Sequence, residues 1–123
     1  MGLKLNKELT TQSGLSIPVN NIVVSAIHFP TVKVGKDAEG NKTYTRIITY
    51  DLFNYATEAM ARDLGDDYIK GGCIEFGGGY EKRMTDAEYA AILADGSISE
   101  VWLKEYIDDI MGAGTCAIID PYV

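Results

Sequence analysis

The chain has 123 residues, 46% of them hydrophobic, 10% aromatic and 24% charged. That length and mixture give a single globular domain whose core can stand without disulfide staples, and they exclude a disordered chain. A net charge of −7 and a pI near 4.5 argue against generic nucleic-acid binding, which needs clustered Lys and Arg, and no apolar run approaches the roughly 20 residues of a membrane-spanning helix.

The first half reads as β-structure. Leu3, Leu5 and Leu9 stand in a polar background, and the turn residues Thr10-Thr11-Gln12-Ser13-Gly14 follow. Residues 1–14 are therefore expected to form an N-terminal strand or arm, with residues 15–123 as the single domain. The run Ile22-Val23-Val24-Ser25-Ala26-Ile27-His28-Phe29 is a β-branched strand that Pro30 either ends or places at a sheet edge. Extended pattern resumes at Thr31, and Asp37-Ala38-Glu39-Gly40-Asn41 predicts a hairpin loop. The returning run from Lys42 to Phe53 is rich in Thr, Tyr and Ile, which suit a pleated surface. Residues 56–64 carry helix formers with Ala56, Met60 and Leu64 at helical spacing, and Gly65 is a natural stop. Five glycines between Gly71 and Gly79 surround a candidate short strand, residues 73–76.

The last third reads mainly as helix. Thr85 and Glu88 have capping-box spacing ahead of the apolar Tyr89, Ile92 and Leu93. Ser97 and Glu100 repeat that spacing before a second stripe of Val101, Trp102, Tyr106, Ile107 and Ile110, closed by Gly112. Residues 115–119 form a short apolar strand that Pro121 stops. The pattern predicts an α+β fold: an antiparallel sheet or small barrel from residues 3–53, joined by strands near 73–76 and 115–119. Helices near 56–64, 86–94 and 100–111 are expected to cover one face or one end of it.

No catalytic, metal-binding or cofactor constellation emerges from spacing. His28 is the sole histidine and lies in a β-branched run, so a half-buried structural role fits it better than catalysis or metal binding. Cys73 and Cys116 are flanked by small or apolar residues and read as core thiols; Lys70 is the only cationic neighbour of either. Gly77-Gly78-Gly79 lacks both a GxxxxGK[ST] and a GxGxxG context, which leaves loop geometry as the better reading. Asp66-Asp67 and Asp108-Asp109 lack the alternating oxygen ligands of a calcium loop. Asp108 opposes the dipole at a helix C-terminus, a conflict that Lys104 offsets from four residues upstream.

Charge and tyrosine point outward. Residues 1–62 sum to +2 and residues 63–123 to −9. Either the acidic half is a solvated surface, or the molecule is a polar subunit whose basic half meets an acidic neighbour. Eight tyrosines and one tryptophan suit either cross-strand packing or interfaces. The interface candidates are Leu3, Leu5, Tyr44, Tyr50, Tyr55, Trp102, Tyr106 and Tyr122.

The segment Leu9-Thr10-Thr11-Gln12-Ser13-Gly14-Leu15-Ser16-Ile17, followed by Asn21-Ile22-Val23-Val24, resembles the opening of small virion structural proteins of tailed bacteriophages. In those proteins a strand, a Thr/Ser-Gly turn and a second apolar strand lead into a β-hairpin. An apolar aromatic helix closes them, here Val101-Trp102-Leu103-Lys104-Glu105-Tyr106. The resemblance spans about the first 55 residues and, more loosely, the last 25; the Gly-rich stretch and the capped helix at 85–95 depart from it. It implies a non-enzymatic subunit of a head, neck or tail oligomer. The implied partners are other virion proteins and copies of itself, through free strand edges of the hairpin or through residues 1–14. It also implies location in the virion, after assembly from the host cytoplasm; the opening MGLKLNKELT has no signal-peptide character. The acidic half would then repel DNA along a passage, not read its sequence. The alternative is a cytosolic small-ligand or peptide-binding module, recognisable by a deep apolar pocket.

Overall fold

Alternation along one long strand organises the molecule. In β5 (Lys42–Tyr55), Ile48, Tyr50 and Leu52 point to one side of the sheet while Phe53 and Tyr55 point to the other, as the two-residue period of a strand requires. The computed structural model describes residues 2–119. Within them, β1 (Gly2–Leu5), β4 (Asn21–Lys36), β5, β6 (Gly79–Met84) and β7 (Cys116–Ile119) form one antiparallel sheet in the order β6-β5-β4-β1-β7. A separate two-stranded sheet pairs β2 (Leu9–Thr10) with β3 (Ser16–Ile17). The main sheet is open, with β6 and β7 at its edges, and not a barrel. The fold is α+β, with the N-terminal half supplying strands β1 to β5.

Two helices close one face. α2 (Asp86–Ala94) and α3 (Ile98–Met111) cover a core of Leu3, Leu5, Val23, Ile48, Tyr50, Leu52, Trp102, Leu103 and Ile107. The buried Tyr50 hydroxyl donates to the Ser99 carbonyl at 2.8 Å and ties sheet to helix. Leu103 and Ile107 are fully buried, each stabilising the fold by about 1.5–3 kcal/mol relative to exposure. The capping box of α2 is complete: Thr85 Oγ1 accepts from the Glu88 amide, and Glu88 Oε1 accepts from the Thr85 amide. The matching spacing at α3 does not form one. The Ser97 hydroxyl donates to Asp95 Oδ1 instead, and Glu100 turns into the core, where Oε1 accepts from the Ser25 hydroxyl at 3.3 Å.

α1 (Glu58–Asp63) lies on the opposite face, so the helices do not share one side as expected. Its Ala61 packs on Ile22 and Tyr55, with Val24, Phe53 and Tyr68 around them. α1 ends on Leu64, not Gly65: Leu64 takes the left-handed conformation (φ 45°, ψ 38°), which costs a residue with a Cβ about 1–2 kcal/mol.

Residues 73–76 are not a sheet strand; Cys73 makes only single bridges to Thr11 and Gly77. The Gly-rich stretch instead folds tightly, for Gly72 has φ +70° and a Cβ there would stand 3.0 Å from the Gly77 carbonyl oxygen. The sixth strand, β6, begins where that stretch ends. Of the strand or arm expected at the N-terminus, residues 2–5 take the strand form, running inside the sheet between β4 and β7. Leu3 and Leu5 are therefore core residues, fully buried, and unavailable to a partner.

Candidate functional site

The hairpin gathers several exposed apolar side chains on one projecting element. β4 and β5 stay paired from Ile22–Tyr55 out to Lys36–Lys42, with a register shift between His28 and Thr31. β1 covers β4 only as far as Val24, and β6 covers β5 only from Arg46 to Asp51. Beyond those limits the hairpin is a two-stranded ribbon, and every residue from 31 to 44 is exposed. Its four outer pairs span about 14 Å at roughly 3.4 Å per residue. The turn is built by Asp37, whose Oδ1 accepts from the amides of Glu39 and Asn41, with Gly40 at φ +84°. Ion pairs Lys33–Glu81 (3.1 Å) and Arg46–Asp86 (3.2 Å) brace its base, and the Arg46 guanidinium lies over the Tyr89 ring.

One face of this arm is distinctive. The cross-strand pairs Val32–Arg46, Val34–Tyr44 and Lys36–Lys42 share it, because side chains two apart project to the same side. Val32, Val34 and Tyr44 are 53%, 57% and 67% exposed. Lys36 and Lys42 have no ion-pair partner among the described residues. Among the described interface candidates, Tyr44 is thus the one that the fold leaves exposed.

Most of the other aromatic candidates are internal. Tyr50, Tyr80 and Tyr106 stack in series, with ring centroids 5.5 and 3.8 Å apart, and Tyr50 is buried. Burial pushes the Tyr50 hydroxyl well above its ordinary range. Tyr55 is buried and donates to the Gly65 carbonyl; Trp102 is buried beneath the Lys82 ammonium. Tyr50, Tyr55 and Trp102 therefore leave the interface list, Tyr106 is half-buried within the stack, and Tyr122 lies outside the described residues. Cross-strand and sheet-to-helix packing accounts for these rings.

A groove of 370 Å³ opens on the α1 side of the sheet. Val24, Ala26 and Phe53 line its floor with Ser25; Tyr55 and Tyr68 stand beside them, and Leu64, Gly65 and Asp66 complete the lining. Phe53 meets Tyr68 edge to face at 5.1 Å, and the Lys70 ammonium caps the Tyr68 ring. Leu64 is 52% exposed in its left-handed conformation. Sequence reasoning missed this groove, since its residues are scattered over three segments.

The chemical candidates fall as follows. His28 is exposed, not half-buried, and its Nε2 lies 2.7 Å from Asp51 Oδ2, also exposed. That is an orienting carboxylate, but the pair stands open to water. Cys73 and Cys116 are buried, and burial raises both thiols, Cys116 to about 12 with the neighbouring Asp108 carboxylate adding to the rise. Lys104 pairs with Asp108, as the spacing implied. Among the described residues, no three His, Cys, Asp or Glu side chains converge as metal ligands, and no helix is long and apolar enough to cross a membrane. No protein-family model, curated protein sequence or solved structure matches the chain.

Proposed function

We propose that this chain is a structural subunit that acts through protein–protein contact, of the kind found in the head, neck or tail of a tailed-phage virion, with no catalytic step. The observation that carries the reading is the hairpin arm, which presents Val32, Val34 and Tyr44 to solvent beyond the domain that supports it. Large apolar side chains gathered on one exposed face mark an interaction surface better than scattered ones do. The chemistry of the other candidates supports the same reading. Buried thiols kept protonated are poor nucleophiles, and both members of the His28–Asp51 pair stand open to water. The acidic surface of residues 63–123 fits a subunit lining a DNA passage, where like charge prevents sticking.

Quantitative mass spectrometry of gradient-purified particles from the source organism tests this. Recovery at a fixed stoichiometry supports the reading, with a copy number near that of the shell protein meaning the head and a small ring-like number meaning neck or tail. Absence from particles refutes it. The groove favours one other reading, a peptide- or small-ligand-binding module, since 370 Å³ lies within the usual range for ligand sites. That reading predicts a monomer stabilised by its ligand.

A further inference from the structure

The chain carries two complementary surfaces on opposite sides of its sheet. The arm's face, on the side of α2, combines Val34 and Tyr44 with the unpaired ammonium groups of Lys36 and Lys42. The groove, on the side of α1, has an apolar and aromatic lining and a rim bearing Asp66, with Asp67 beside it. Asp66 and Asp67 are exposed and without an ion-pair partner among the described residues. Apolar side chains beside positive charge on one surface match an apolar recess beside negative charge on the other.

Resting on the structural-subunit reading, we infer that the arm of one copy docks in the α1-side groove of the next, Val34 and Tyr44 entering the recess while Lys36 and Lys42 face Asp66 and Asp67. The occupant is a second copy because both halves of the match are in this chain, Lys36 and Lys42 beside the arm's apolar pair and Asp66 and Asp67 beside the groove. Leu64 stands at the rim, where its left-handed backbone holds a half-exposed apolar side chain that the domain core does not use. Lys70 opposes the arm's charge, but it is already engaged on the face of Tyr68.

Edge-to-edge pairing of β4 strands is the weaker route. Residues 25–36 have no neighbour strand on their outer side among the described residues. Pro30 brings no amide proton to that edge, and the register shift between His28 and Thr31 breaks it, two devices that blunt strand addition. The arm-to-groove contact joins different patches, so it is heterologous and propagates into a ring or a filament.

Sedimentation velocity on two variants of the full chain decides the matter. V34S/Y44S removes the arm's apolar face, and D66K/D67K reverses the groove's charge. All four positions are exposed, and circular dichroism on each variant checks its folding before the association is read. Wild type is expected to form larger species at low salt and to dissociate as salt rises. Each variant alone is expected to associate at least tenfold more weakly. Their mixture is expected to stop at a one-to-one pair, because one intact arm meets one intact groove and nothing remains to propagate. Wild type that stays monomeric to about 1 mM, association indifferent to D66K/D67K, or a mixture that forms no pair each overturns the inference. Particle recovery is a separate readout: a chain present in particles but without self-association loses this contact and keeps its structural role, whereas self-association without particle recovery removes the virion reading alone.

Discussion

Glu100 is a carboxylate buried with one oxygen unpartnered among the described residues, and replacing it makes a sharp test of the packing argument. It is 5% exposed at the third position of α3, its Oε1 accepts one long hydrogen bond from Ser25, and its Oε2 has no partner among the described residues. Burial raises its carboxyl above the ordinary value of 4.5, against the opposing pull of the Ser25 hydroxyl. The variant E100M keeps an unbranched side chain of similar length and removes the charge. An unsatisfied buried polar atom costs about 1–3 kcal/mol, and relief of that cost is the gain. A carboxylate in the first turn of a helix contributes about 0.3–1 kcal/mol, and that is the loss. Ser25 is only half-buried, so its hydroxyl keeps access to water. The net is a gain of about 1 kcal/mol at pH 8, or roughly 3–5 °C in Tm for a chain of this length.

The pH dependence gives the sign. A carboxyl that binds its proton more tightly in the folded state favours folding at low pH. Stability falls as pH rises from the ordinary value near 4.5 through the raised folded value, then stays level. Wild type should show that component and E100M should lack it, so the variant's advantage is larger at pH 8 than at pH 4.5. Urea unfolding at the two pH values, followed by tyrosine and tryptophan fluorescence with m held common, reads the difference. A loss of 1 kcal/mol or more at pH 8, or an advantage of the same size at both pH values, would refute the reasoning.

Three further outcomes follow from named contacts. Deleting residues 2–5 removes the interior strand β1 with Leu3 and Leu5, and the chain is expected to lose its cooperative thermal transition by circular dichroism; a truncated chain that melts like wild type would show that β1 is dispensable. L64G relieves the left-handed backbone, worth about 1–2 kcal/mol, but loosens the unfolded chain by about 0.5–1 kcal/mol and loses a half-buried contact. Stability should therefore move by less than about 1 kcal/mol while self-association weakens, and unchanged association would remove Leu64 from the groove's function. With its pKa at about 12, Cys116 holds a thiolate fraction on the order of 10⁻⁴ at pH 8, so labelling of both buried thiols by a disulfide reagent should track unfolding; rapid labelling of the native chain would contradict their burial.

Local chemistry was legible in the sequence where one segment decides it. The turn at 37–41 rests on Asp37 and Gly40, and the α2 cap on Thr85 and Glu88, and each does what its residue types dictate. The second capping-box spacing failed because Asp95 competes for the Ser97 hydroxyl and Ser25 draws Glu100 inward, and neither contact is visible in a window of four residues. Pro30 was ambiguous for the same reason: whether it ends a strand or marks an edge depends on how far β1 reaches along β4, which is a property of the sheet. β6 was hidden behind glycines that serve the turn before it. Tyrosine content misled most. The count rises equally with stacking inside and with display outside, and here Tyr50 went inside, Tyr80 and Tyr106 stacked on it half-buried, and Tyr44 went out. The groove left no signal at all, since its lining comes together only when α1 folds back over β4 and β5.

Separation of the arm from the core gives the last prediction and links stability to function. From residue 31 to residue 44 the hairpin buries no side chain, and its ties to the rest of the molecule are the ion pairs at Lys33 and Arg46 and the rings and strands at its base. A two-stranded ribbon of this kind is at best marginal in water on its own, so its apolar face does little for the fold. The Val34–Tyr44 cross-strand pair is worth about 0.2–1 kcal/mol. V34S/Y44S should therefore lower stability by no more than about 1 kcal/mol in urea unfolding, against about 2–5 kcal/mol for L103A in the core. If the arm variant lost more than about 2 kcal/mol, its side chains would be packing within the molecule, and the case for a displayed contact surface would fail with them. If it unfolds like wild type but no longer associates, the apolar face belongs to the assembly and not to the domain that carries it.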